Sequence, residues 1–229
     1  MPARPADTWR NWLRIAASGL LAIIGAGANG ASIGLHYVFK PLATILIFVS
    51  AWQIRNPVNP RYRRAVLAGI ALSLCGDVFL MLPKDVLPAG FLLGLSSFLI
   101  AHLFFLRAFT SDARLFGKPL VVLGLLLVGG ANLFVLWPGL APALKGPVLV
   151  YMLCLLAMVA QAIGRHLQWR QHGSRLAAFG GVLFLLSDTL LAYNKFYAPI
   201  PLSALWILST YYTALFLIAR SVAASEPVG

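Results

Sequence analysis

The sequence predicts an all-α, polytopic membrane protein. Of its 229 residues, 60% are hydrophobic and only 10% are charged, whereas an ordinary globular domain is about 45–50% apolar and about 25% charged. The mean hydropathy is +0.86. Apolar runs of about 20 residues, the length at which a helix spans a bilayer, recur along the whole chain. The connections between them are too short for a soluble domain, so we expect one integral-membrane helical domain over residues 1–229.

Eight of these runs are candidate transmembrane helices. The breaks between them include RNPVNPRYRR, LPKDVLP, WPGLAPALKGP and YAPIP, which are rich in the residues that end helices. Helices are favoured over strands because a helix satisfies its own backbone hydrogen bonds in lipid. The approximate spans are 13–28, 35–52, 65–82, 89–109, 119–136, 147–165, 176–194 and 200–220.

The first span has a second interpretation. The segment RNWLRIAASGLLAIIGAGANGA has a basic start, a short apolar core and small residues after it, as a signal peptide has. If this segment is cleaved, seven spans remain.

The cationic residues divide unevenly between the two sides of the membrane. With an even number of spans, 14 of the 18 Lys and Arg residues lie on one side, and only Lys40, Lys84, Lys145 and Lys195 lie on the other. Cytoplasmic loops carry such an excess, so we expect both termini in the cytoplasm, as for a bacterial inner-membrane protein. Short basic loops beside anionic lipid also account for the net charge of +12 without a nucleic-acid partner.

Two of the six acidic residues lie inside apolar runs. Asp77 is in LSLCGDVFLML and Asp188 is in FLLSDTLLAYNKF. Each follows a basic residue, Arg64 or Arg175, by 13 positions. At about 1.5 Å per residue, both carboxyls lie roughly 19 Å from the cytoplasmic edge. A charge facing lipid at this depth costs at least about 2.5–3.5 kcal/mol, so we expect both to face one internal cavity.

Two interpretations of the aspartates remain open at this stage. Each can be a structural hydrogen-bonding group, or the two can form an acid–base pair that shares one proton near neutral pH. Their similar settings also suggest two parallel four-helix repeats. The motifs KP at 40–41 and KGP at 145–147 are a second, weaker similarity between the halves.

Four other polar residues are candidates for substrate binding. Lys40 either extends to the headgroups or faces inward and holds an anionic headgroup. His102 lies about 10 Å deeper than the aspartates by helical rise, either buried and hydrogen-bonded or lining a cavity. Tyr193 and Asn194 follow Asp188 at the outer interface, where Tyr is common and Asn can line the mouth of a cavity.

The other polar positions predict no further site. Tyr151, Tyr211 and Tyr212 are interpreted as packing or interface residues. No three of the four histidines converge at one depth, so we expect no metal site.

Four motifs together resemble those of the YhhN-like family, also called the TMEM86 family, whose animal members are lysoplasmalogenases. They are KPL at 40–42, GDVFLM at 76–81, GLSSFLIAHLFF at 94–105 and FLLSDTLLAYNKF at 184–196. The resemblance implies a hydrolase that cleaves the vinyl ether of a lysoplasmalogen, a lysophospholipid, to a fatty aldehyde and glycerophospho-ethanolamine or -choline. It implies no cofactor, and it implies Asp77 and Asp188 as the catalytic residues. Where the family pattern has Tyr three residues after the helical His, this chain has Phe105.

The implied chemistry suits two carboxyls. A vinyl ether hydrolyses by protonation at carbon, and water captures the resulting oxocarbenium ion, as in the related transition state of glycosidases. The alternatives are a small proton-coupled transporter and a lipid-binding protein that lacks catalysis. A transporter is expected to have helices interrupted by Gly or Pro beside its binding residues, and Gly76 beside Asp77 is one such feature. The sequence leaves the oligomeric state and the headgroup preference open.

The charge distribution predicts the topology. A reporter that is active only on the outer side should be inactive when it is fused after Gly229, whereas a cytoplasmic reporter at the same position should be active. The opposite pattern would place the C-terminus outside and contradict the predicted orientation.

Overall fold

The computed structural model describes residues 5–27 and 33–223, and these residues form eight α-helices. They contain no β-strand, so the all-helical prediction is confirmed. Residues 4, 28 and 229, which enter the predicted topology or the predicted first span, lie outside the described residues. The helices are α1 (Pro5–Ala26), α2 (Ile33–Trp52), α3 (Pro60–Met81), α4 (Gly90–Phe109), α5 (Pro119–Leu136), α6 (Pro142–Trp169), α7 (His172–Phe196) and α8 (Ser203–Arg220).

Six of the eight helices are long and apolar enough to cross a membrane by length and composition. They are α2 to α7, with α5 extended by the 3₁₀ turn Trp137–Gly139. The apolar part of α1, residues 11–26, is shorter than these. Large apolar side chains are exposed on the outside of the bundle, among them Leu120 at 82% and Phe134 at 83%. Such a surface suits contact with lipid tails, so the protein is a multi-pass membrane protein.

Proline defines the starts of several helices. Pro60, Pro119 and Pro142 each occupy the first position of a helix, where the missing N–H would have had no partner in any case. At α3, the side chain of Asn59 also caps the helix by accepting a hydrogen bond from the Arg61 N–H at 2.8 Å. Helix α6 begins five residues before the predicted span and runs through Pro147. Helices therefore extend beyond the apolar spans that the sequence indicates.

Small residues bring α3 and α4 close together. A Cβ atom at Gly76 would lie 2.5 Å from the ring of Phe98, and one at Gly94 would lie 2.7 Å from the side chain of Leu80. Because lipid supplies no hydrophobic force between helices, close packing of this kind stabilises their association. Helix α3 is continuous through Gly76, so this glycine serves packing and does not interrupt the helix.

The helix contacts follow the pattern expected of two four-helix repeats. Helix α3 packs on α2 and α4, and α7 packs on α6 and α8. The two halves contact each other in two places, where α4 packs on α6 and where α8 packs on α2. These contacts are equivalent, because in a four-helix repeat α4 corresponds to α8 and α2 corresponds to α6. The repeat itself stays a prediction, but this arrangement brings α3 and α7 to equivalent positions in the bundle.

A buried ion pair fixes the connection after α4. Arg165 of α6 is 1% exposed, and two of its nitrogens donate to the carboxylate of Asp112, each at 2.7 Å. Gln161, one turn earlier on α6, donates to the carbonyls of Phe109 and Arg114 at 3.1 and 3.3 Å. These contacts hold the end of α4 against α6, and the same helix pair carries part of the candidate site.

Candidate active site

Asp77 lies at the point where α2, α3 and α8 meet. It is 2% exposed. Its Oδ2 accepts hydrogen bonds from the hydroxyls of Thr44 on α2 and Tyr211 on α8, both at 2.7 Å. The Nζ of Lys40 lies 3.8 Å from Oδ1, which is an ion-pair distance but long for a hydrogen bond. The ionised carboxylate therefore has a counter-ion, while Oδ1 keeps capacity for another donor.

Lys40 faces the interior of the bundle. It is 8% exposed, and its ammonium pairs with Asp77. Of the two orientations that the sequence allowed for Lys40, the structure has the inward one. A cation buried here offsets the charge of Asp77, since an unpaired buried charge is costly.

Asp188 has a different environment on α7. Its Oδ2 accepts a hydrogen bond from the hydroxyl of Tyr151 on α6 at 2.5 Å. Among the described residues, no cationic side chain lies within 4.0 Å of it. The neighbouring Ser187 donates to the carbonyl of Ile207 at 3.0 Å and gives no support to the carboxyl. Asp188 thus has a strong single donor and no counter-ion.

An aromatic cluster connects the two tyrosines. The ring of His102 lies 5.2 Å from that of Tyr151 and 4.8 Å from that of Phe184. Phe184 in turn lies 5.6 Å from Tyr211, edge to face. Such contacts restrict the rotation of both phenol rings, so the donors to the two aspartates are held in place by one shared cluster.

Both aspartates line one cavity of about 450 Å³. Its wall is mostly Leu, Phe and Val, and its polar lining includes Lys40, Tyr151 and Tyr211. Ligand cavities commonly have this size and this pattern of an apolar wall with a few fixed polar groups. The cavity therefore suits a ligand with a long apolar chain and a reactive group near the carboxyls.

The other predicted binding residues lie outside this lining. His102 is fully buried behind Tyr151, and neither of its ring nitrogens has a hydrogen-bond partner among the described residues. Tyr193 packs on Tyr197, with ring centroids 5.7 Å apart. Asn194 accepts a hydrogen bond from the Ile200 N–H at 2.9 Å. The substrate-binding roles of His102, Tyr193 and Asn194 stay predictions, and the contacts observed are with other protein groups.

Two tyrosines donate to the aspartates, although the sequence did not predict them as site residues. Tyr151 and Tyr211 were expected to be packing or interface residues, yet each hydroxyl binds a carboxylate. One signal was present in the sequence: Tyr151 precedes Asp188 by 37 residues, the same separation as between Lys40 and Asp77. The repeat therefore offered a position for Tyr151, but no sequence signal identifies Tyr211.

The polar groups that meet at the aspartates are chiefly carboxyls and phenol hydroxyls. No three His, Cys, Asp or Glu side chains of the described residues lie close enough together to hold a metal ion. The expectation that the protein uses no metal or cofactor stays a prediction.

The fold and the site together define an integral membrane protein with two carboxyls facing a lipid-sized apolar cavity. The chain belongs to the YhhN family, whose model matches residues 35–222. It is 34% identical to lysoplasmalogenase TMEM86B of Sus scrofa over 81% of this chain and 73% of that protein. It is 35% identical to lysoplasmalogenase TMEM86A of Homo sapiens over 71% of this chain and 67% of that protein.

A bacterial relative carries the same name. The chain is 30% identical to a lysoplasmalogenase of Mycobacterium bovis over 73% of this chain and 64% of that protein. No solved structure matches the chain.

The ion pair at Asp77 predicts a large effect of removing its cation. Lys40→Met should destabilise the protein by about 3–5 kcal/mol, because it leaves a buried carboxylate without a counter-ion. Adding Asp77→Asn to that variant should restore most of the loss, because the unpaired charge is then gone. Thermal unfolding of the purified protein in detergent measures both changes.

Lys145→Met is the matched control for this cycle, because Lys145 is predicted to lie on the same side of the membrane and packs over the ring of Trp137. It should change the unfolding temperature little. A double variant less stable than Lys40→Met alone would contradict the pairing.

Proposed function

We propose that this protein hydrolyses the vinyl ether bond of lysoplasmalogens inside the membrane, and that Asp77 and Asp188 carry out the acid–base chemistry. The observation that carries the proposal is the pair of carboxyls with unlike partners in one apolar cavity. Three relatives at 30–35% identity are named lysoplasmalogenase, which supports the same activity. The products are a fatty aldehyde and a glycerophospho-ethanolamine or -choline.

Asp188 is the proton donor in this mechanism. It has no counter-ion within 4.0 Å among the described residues, so in a low-dielectric cavity its neutral acid form is favoured over a bare charge. The acid transfers its proton to the outer carbon of the vinyl ether, and the ether oxygen then carries the positive charge of an oxocarbenium ion. The hydroxyl of Tyr151 hydrogen-bonds to the carboxylate that remains and stabilises it.

Asp77 activates the water in the second step. In this mechanism Asp77 is ionised. It pairs with Lys40 and accepts hydrogen bonds from Thr44 and Tyr211, and its Oδ1 is available to accept a hydrogen bond from water. Water adds to the oxocarbenium carbon and loses one proton to Asp77, which gives a hemiacetal. When the bond to the glycerol oxygen breaks, that oxygen takes the proton from Asp77, and the hemiacetal hydroxyl gives its proton to Asp188 as the aldehyde forms. Each carboxyl returns to its starting state, so no oxidant or reductant is consumed.

The continuity of the helices favours this role over transport. A carrier was expected to have interrupted helices beside its binding residues. Both α3 and α7 are unbroken past Asp77 and Asp188. The aspartates are therefore held on rigid elements, as suits groups that must keep a fixed geometry for catalysis.

The substrate class predicts which lipids react. Purified protein should release aldehyde from a 1-alkenyl-lysophospholipid and leave the 1-acyl analogue intact, because an ester offers no carbon that can accept the proton in the same way. Aldehyde and free fatty acid are measured in parallel from matched lipids. Equal cleavage of both lipids would indicate a lysophospholipase and contradict the proposal.

The two carboxyls should act as a unit. Asp77→Asn and Asp188→Asn should each lower kcat by about 10²–10⁴-fold, the usual contribution of acid–base catalysis. The double variant should be little worse than either single variant, since losses in a shared mechanism are not additive. Turnover of the alkenyl lipid is measured on protein that elutes folded and monodisperse.

Asp85→Asn is the control for these variants, because Asp85 is an exposed aspartate between α3 and α4. It should retain full turnover. If either Asp77→Asn or Asp188→Asn kept more than about a tenth of wild-type turnover, that residue would be structural, since a lost structural hydrogen bond costs only about 1 kcal/mol.

A further inference from the structure

Each cavity aspartate is followed by a lysine at the same distance. Asp77 begins DVFLMLPK, which ends at Lys84, and Asp188 begins DTLLAYNK, which ends at Lys195. Seven residues are close to two helical turns, so a lysine at this spacing on a helix lies on the same face as the aspartate, about 10 Å further along the axis. Both lysines belong to the minority cationic side, which the charge distribution predicts to be the outer side.

Both lysines line the cavity that contains the aspartates. The Nζ of Lys195 lies 4.3 Å from the ring centroid of Phe91, and Phe91 is itself part of the cavity wall. This contact fixes the ammonium of Lys195 against the wall. Lys84, which follows the end of α3, lines the same cavity.

Neither lysine is in an ion pair with an acidic group of the described residues. Asp85, next to Lys84, is exposed and is not part of the cavity lining. Both lysines are exposed, so water solvates their ammonium groups, and an anion that binds there replaces this water with charge-assisted contacts. The mouth of the cavity therefore has the charge of an anion site, and Lys is a common ligand for phosphate.

We propose that Lys84 and Lys195 bind the phosphate of the lysophospholipid substrate at the mouth of the cavity. This inference rests on the proposed function and adds the group by which the substrate is recognised. The phosphate is the anion expected here, because most of the cavity wall is apolar and suits the alkenyl chain of the same molecule.

The dimensions of the substrate agree with this placement. Five single bonds separate the vinyl ether oxygen from the phosphorus, which gives roughly 6 Å when extended, from ordinary bond lengths. The helical rise from Asp188 to Lys195 is about 10 Å, and the side chains of both residues span the difference. A phosphate held at the lysines therefore brings the vinyl ether to the carboxyls.

The lining also predicts that the ethanolamine or choline group of the substrate is not recognised. The described lining has no carboxylate other than the two aspartates deep in the cavity, so nothing at the mouth pairs with the ammonium of ethanolamine or choline. Both headgroups should therefore be accepted with similar kcat/KM, and the phosphate should be the part that determines binding.

The experiment compares two substrates that share the vinyl ether and differ in the phosphate. 1-Alkenyl-glycerophosphoethanolamine and 1-alkenyl-glycerol are assayed for aldehyde release in neutral detergent micelles, so that the substrate carries the only phosphate. The wild type should prefer the phospholipid by about 10- to 100-fold in kcat/KM, the range of a charge-assisted contact. Lys84→Met combined with Lys195→Met should lower kcat/KM for the phospholipid by a similar factor, mainly through KM, and leave 1-alkenyl-glycerol unchanged.

Two controls separate charge from packing. Lys195→Arg should retain most of the activity, because it keeps the charge. Lys145→Met, which removes a lysine outside the cavity lining, should behave as the wild type on both substrates.

The outcomes distinguish this inference from the function on which it rests. Aldehyde release from both substrates at equal kcat/KM, or an equal loss on both in the lysine variants, would overturn the phosphate site and leave the hydrolase intact. Release from neither substrate by the wild type would overturn both proposals.

Discussion

The structure depends on the cost of placing a carboxylate in the membrane interior. Lipid cannot stabilise a charge on Asp77, so the protein supplies a cation and two hydroxyl donors. On α3 itself, the buried hydroxyl of Ser73, one turn before Asp77, donates to the carbonyl of Gly69, and the partners of Asp77 come from α2 and α8. A helix that is distant in sequence is thereby fixed beside α3. The polar contacts specify which helices meet, while the packing of small and large apolar residues stabilises the contact.

The two carboxyls occupy equivalent positions in the two halves but have unlike environments. Lys40 and Tyr151 each precede the aspartate of their half by 37 residues, and each contacts it. A cation at this position favours the ionised form of Asp77, whereas a phenol gives Asp188 a donor without a counter-ion. One exchange of residue type therefore gives the two carboxyls unlike partners. Under the proposed mechanism this difference separates the acid from the base, as paired catalytic carboxyls take different roles from different surroundings.

The cavity combines two carboxyls with a mostly apolar wall. Its apolar wall accommodates a chain, its deep end has the carboxyls, and its mouth has two cations at matched spacing from them. The aromatic cluster around His102 and Phe184 keeps the phenols in place without contributing to the lining. The two carboxyls thus line the cavity, whereas the rings of His102 and Phe184 that support their phenol donors lie behind the lining. A substrate that is anchored at its phosphate gains the entropic advantage of a fixed reacting geometry.

The sequence by itself determined the class of fold, the number of helices, and the two aspartates, Asp77 and Asp188, that line the cavity. It did so because lipid penalises charge so strongly that a carboxylate within an apolar run indicates an internal site. The direction of Lys40 stayed open, because a lysine near the end of a span can also extend to the headgroups. The tertiary structure decided which helices supply the partners. Tyr151 and Tyr211 are compatible with lipid, packing or a membrane interface alike, since a phenol is amphipathic and its position in a span specifies no contact. Only the packing of α6 on α7 and of α8 on α3 turns these two tyrosines into donors to the aspartates.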